Sequence, residues 1–121
     1  LLVAVKKDLV AEYIELTHQG NLIDLHNACE FRGFQYKTKD SCFILSFAYD
    51  KELDQASPVS LHLEDVTMLR ITPRDPEMRS FKIDCLEKLV YDEVESQITF
   101  HFWGGMTVEC RCQAFKLIQS Q

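Results

Sequence analysis

Residues Gln97 to Ile118, QITFHFWGGMTVECRCQAFKLI, constrain this chain more than any other stretch. Before a Gly-Gly pair, Ile98, Phe100 and Phe102 alternate with Thr99 and His101. After it, Met106, Val108, Cys110, Cys112 and Ala114 alternate with Thr107, Glu109, Arg111 and Gln113. Period-two alternation on both sides of glycines specifies a β-hairpin. A two-residue loop, Gly104-Gly105, would pair Phe102 with Thr107 and set the two apolar rows on opposite faces. A three-residue loop, Trp103-Gly104-Gly105, pairs Phe102 with Met106, Phe100 with Val108 and Ile98 with Cys110. Both rows then share one face, Gly105 can take a left-handed bulge conformation, and Trp103 sits at the tip, off the ladder. The three-residue loop is the expected one.

The rest of the chain is read around that hairpin. Leu2, Val5, Leu9, Tyr13 and Leu16 recur at spacings of three and four, which predicts an amphipathic helix ending near His18 and stopped by Gly20. Ala28 to Tyr36 is aromatic-rich and interrupted by Gly33, where a bulge is expected. Cys42 to Tyr49 is apolar on both faces, which suits a central strand covered on both sides, with the helix as the second cover. Val59, Leu61 and Leu63 face one way in a strand begun by Pro58, and a short strand over Val66–Thr72 follows Glu64-Asp65. TPRDPEMRS, with its two prolines, reads as loop. Cys85 to Val94 carries both patterns: Leu86, Leu89 and Val90 fit a helical turn, whereas the run LVY favours a strand leading into the hairpin. The expected fold is therefore α+β or mainly β, in one domain spanning residues 1–121. An N-terminal helix packs on an antiparallel sheet of about six strands, able to curl into a sandwich.

At 121 residues the chain is long enough for one core. Its net charge of −6 disfavours nucleic acid and anionic membranes, which require concentrated Lys and Arg, and admits a basic protein partner. Five cysteines, an odd number without framework spacing, suggest reduced thiols and a cytoplasmic location. The apolar run Leu1 to Val5 is too short for a membrane span or signal core. The start at Leu1 rather than Met suggests that residues precede it.

No phosphate loop, dinucleotide fingerprint, nucleophile elbow or zinc-protease motif is present. Asp24-Leu25-His26 reads more simply as a turn pair than as a supported general base. A metal site from His26, His62, Glu64 and His101 would require three elements to converge, which nothing in the spacing demands. No catalytic residue, metal or cofactor is assigned. The acidic residues Asp84, Glu87, Asp92, Glu93 and Glu95 crowd the approach to the hairpin, and Glu64-Asp65 punctuates the middle strands. Most such groups form solvated faces. The sharper expectation is a partner-binding patch of Asp92, Glu93, Glu95, Glu64 and Asp65, with Trp103 as its aromatic anchor.

Three stretches carry a family likeness: DLHNAC leading into a strand, the acidic step in LHLEDVTMLRI, and the hairpin with its late cysteines, GGMTVECRCQAFKL. Over roughly residues 24 to 118 the chain resembles small β-rich immunity proteins of bacterial polymorphic-toxin systems. The resemblance implies a non-enzymatic module that binds a cognate toxin, and it carries over no individual functional residue. The alternative expectation is a small-ligand-binding domain with its pocket between helix and sheet.

Overall fold

The structure, a computed structural model, describes residues 15–18, 21–25, 29–50, 56–80, 84–92 and 94–119. Ten strands lie among the described residues: β1 (Glu15–His18), β2 (Asn21–Asp24), β3 (Cys29–Lys37), β4 (Cys42–Asp50), β5 (Ala56–Glu64), β6 (Met68–Thr72), β7 (Leu86–Asp92), β8 (Gln97–Phe102), β9 (Thr107–Arg111) and β10 (Ala114–Gln119). The one helical element among the described residues is a 3-10 turn, Pro76–Met78. Two antiparallel four-stranded sheets, ordered β10-β5-β4-β3 and β6-β9-β8-β7, accompany the small β1–β2 hairpin.

This corrects the expected helix on a six-stranded sheet. Residues 1–14, which carry most of the helical spacing, lie outside the described residues. Where that helix was to end, Glu15–His18 is extended and pairs with Asn21–Asp24. Leu16, Thr17 and His18 suit a strand as well as a helix end, and pairing with β2 engages the backbone groups of alternate residues among them.

One core lies between the two sheets. Phe43, Leu45 and Phe47 of β4 and Val59, Leu61 and Leu63 of β5 are buried on one side. Leu86, Leu89, Ile98, Phe100, Phe102, Val108 and Cys110 face them from the other. The rings of Phe31 and Phe102 meet across the layers, with centroids 4.4 Å apart. On that side the Phe31 N–H donates to the Asp84 carbonyl (2.9 Å) and joins β3 to the start of β7.

The β8–β9 register is the one that the three-residue loop requires. Ile98 pairs with Cys110 and Phe100 with Val108, while the Phe102 N–H donates to the Met106 carbonyl (2.9 Å). Gly105 has φ +91°, which favours glycine. The alternation from Met106 to Ala114 is nevertheless not one strand. The chain leaves the second sheet after Arg111 and enters the first at Ala114, with the Gln113 N–H donating to the Glu64 carbonyl (3.0 Å). A second crossing, from β5 to β6, runs alongside, and there the Thr67 N–H donates to the Arg111 carbonyl (2.8 Å). Asp65, with φ +54°, turns the chain at that crossing.

The ambiguous stretch before the hairpin is strand β7, and its helical signal has a cause. Leu86 pairs with Phe102 and Lys88 with His101, so Glu87 is an extra residue in a bulge. The bulge shifts the phase and brings Leu86 and Leu89, three apart, onto the same buried face. Strand β3 repeats the device: the register shifts between Phe31 and Gly33, so Phe31 and Phe34 both lie on the side of the sheet that faces the core.

Candidate functional site

The tip of the β8–β9 hairpin carries Trp103, the chain's single tryptophan, 45% exposed. An exposed indole on a free loop would move; this loop is fixed from beneath. Its three backbone donors are all satisfied. The Trp103 N–H donates to the Cys85 carbonyl (3.0 Å), the Gly104 N–H to Asp84 Oδ1 (3.0 Å) and the Gly105 N–H to the Phe102 carbonyl (3.0 Å). In the other direction the Gly104 carbonyl accepts from the Asp75 N–H (3.0 Å).

Asp84 is the hub. Its Oδ1 also accepts the Cys85 N–H (2.9 Å), and its Oδ2 faces Arg74 Nε at 3.8 Å. Both side chains are largely buried, at 13% and 23% exposure, so the carboxylate acts where water competes weakly. Gly104 is buried over this pair: a Cβ there would run into Arg74 Nε and sit 2.9 Å from Asp84 Oδ2. The two glycines thus serve different needs, close approach at Gly104 and a positive φ at Gly105. Exposed Asp75, Glu77 and Glu87 lie on the segments that hold the loop, interspersed with exposed Arg79 and Lys88. The carboxylates of Asp84 and Glu87 add to burial in raising the Cys85 thiol pKa.

The acidic residues expected to join Trp103 do not surround it. Asp92 pairs with Gln97 at the opposite end of β8. Five residue steps of about 3.3 Å separate that end from Phe102, on the order of 17 Å. Asp92 Oδ1 accepts the Val94 and Glu95 N–H groups (3.0 and 3.3 Å) and shapes the turn there. Glu95 pairs with Arg111 (3.0 Å) and Glu64 with Lys116 (4.0 Å). Asp65 sits in the nearby crossing, and Glu93 lies outside the described residues.

At that same far end an open groove of about 250 Å³ runs over the outer face of the first sheet, between Lys37, Asp40, Cys42, His62, Glu64, Asp65 and Lys116. It is charged, and it lies on strands and a turn rather than between a helix and a sheet. His62 Nε2 is 3.1 Å from Ser60 Oγ. Burial, then the ammonium groups of Lys116 and Lys37, lower the His62 pKa, so the ring is held neutral at pH 7. Burial raises the Cys42 thiol above its ordinary value, which disfavours the nucleophilic thiolate. His101 is on the outer face of the other sheet, so the core separates it from His62. His26 lies outside the described residues. Among the described residues no group of three His, Cys, Asp or Glu side chains could hold a metal ion.

All five cysteines are free, and Cys29, Cys110 and Cys112 are buried. No helix among the described residues is long and apolar enough to cross a membrane. Sequence reasoning places Trp103 at the hairpin tip, off the ladder, but misses what holds the tip there, because Arg74 and Asp84 stand in stretches that read as loop and strand approach. The prolines around Arg74 marked a turn, but nothing local indicates that the turn lies under the hairpin tip. Comparison with protein-family models, curated proteins and solved structures returns no match.

Proposed function

We propose that this chain is a non-enzymatic protein-binding module that anchors its partner on Trp103. The observation that carries this reading is the pairing of a half-exposed indole with a loop whose backbone donors are all engaged. Tryptophan is enriched among residues that dominate binding energy, and a prefixed anchor loses little freedom on association. The chain's net charge of −6 favours a basic partner, whose encounter it would steer. The carboxylates at the far end of β8 fall outside this contact.

In the form suggested by the resemblance, the module is a cytoplasmic bacterial immunity protein and the partner a cognate toxin. The test is a paired pull-down with wild-type and Trp103→Ala baits, followed by association kinetics of the recovered partner at increasing salt. Retention of the partner by wild type alone, with association slowed by salt, supports the reading. Equal retention by both baits removes Trp103 as the anchor.

A further inference from the structure

The groove on the outer face of the first sheet takes no part in the contact at Trp103. Strand register orders its walls. Ile44 pairs with His62 and His62 with Lys116, forming one row across three strands. Two residues further along come Cys42 and Glu64, with Lys37 paired to Cys42. Asp40, in the β3–β4 turn, and Asp65, in the crossing to β6, close that end. The two rows stand about 7 Å apart, two residue steps of about 3.3 Å. The closed end is built as one piece, because the Val66 N–H donates to the Ser41 carbonyl (2.9 Å) and ties the crossing to the turn.

Charge is divided along the groove. After burial, the ammonium groups of Lys116 and Lys37 act most on the His62 ring, so both lie within electrostatic reach of that row. Lys116 meets Glu64 at 4.0 Å, a loose pair that leaves its ammonium able to take a second carboxylate. Asp40 and Asp65 are exposed, and no ion pair among the described residues engages either. Ile44, 8% exposed, gives the floor an apolar patch between the two ends. A simple anion entering here meets three carboxylates, and a simple cation meets two ammonium groups.

We propose that this groove binds a small zwitterion of the dipeptide class, carboxylate toward Lys116 and ammonium toward Asp40 and Asp65. Two extended residues reach about 7 Å, which matches the spacing of the rows. An α-amino acid carries both charges on one carbon and cannot serve both ends. A shallow, open groove of about 250 Å³ holds such a ligand weakly, with a Kd on the order of 5 mM.

The probe is dialanine, added to the full chain at pH 7 and constant ionic strength while backbone amide resonances are followed by NMR. Shifts at Cys42, Ile44 and His62 should saturate by about 50 mM, tenfold above that Kd. N-acetyl-dialanine, dialanine amide and free alanine, each lacking one charge or the span, should bind at least fivefold more weakly. Lys116→Met and Asp40→Asn should each weaken dialanine at least fivefold with unchanged circular dichroism, and Trp103→Ala should bind as wild type. Absence of saturable shifts, or shifts scattered over both sheets, overturns the proposal. So does equal binding of the blocked dipeptides, which needs no variant to be folded.

Discussion

Replacing Asp84 by Ala removes the acceptor beneath the hairpin tip. The Gly104 and Cys85 N–H groups lose their partner at 3.0 and 2.9 Å, and Arg74 loses the carboxylate at 3.8 Å. A hydrogen bond to a charged acceptor contributes about 1.5–3 kcal/mol. With Cys85 only partly buried, the loss of the two bonds amounts to about 3–4 kcal/mol. Asp84→Asn keeps one carbonyl oxygen for both N–H groups and loses mainly the ion pair, so its cost is about 1–2 kcal/mol. Urea melts followed by circular dichroism at pH 7 give both values. Trp103, as the single tryptophan, reports the local effect: its fluorescence anisotropy should fall and acrylamide quenching rise in Asp84→Ala. A cost under about 1 kcal/mol, with anisotropy unchanged, would refute the argument that this carboxylate fixes the loop.

Other perturbations follow from the same geometry. Gly104→Ala, measured in the same melts, should cost about 1–3 kcal/mol, because the added methyl collides with the Asp84–Arg74 pair. Phe100, 1% exposed, should cost about 3–5 kcal/mol as Ala, whereas His101→Ala on the outer face should cost under about 1 kcal/mol. A bulky thiol reagent should modify at most Cys42 and Cys85 in the native protein and all five cysteines after denaturation. Cys29, with its pKa pushed up to about 12 by burial and then by Asp24, should resist native labelling even at pH 9.

What the sequence disclosed, and what it hid, follows from how local each signal is. The β8–β9 register was legible because apolar alternation and one glycine conformation determine it between them. Strand β7 was half-legible, since the bulge at Glu87 converts a period of two into a local spacing of three. The crossing at Cys112-Gln113 left no mark, because neither residue breaks the alternation and Cys112 is buried like its neighbours. The two-sheet arrangement needs both crossings, so the pattern alone reads as a helix on one sheet of about six strands, able to curl into a sandwich. Trp103 could be found from its place beside the glycines. Its clamp could not, because Arg74 and Asp84 reach the loop from ten or more residues apart in the chain, through tertiary contacts.

The emission of Trp103 during titration with the partner recovered by the wild-type bait tests the central claim most directly. Burial of the indole in the contact should shift the emission to shorter wavelength and protect it from acrylamide. Saturable binding that leaves both emission and quenching unchanged would contradict an anchor at Trp103.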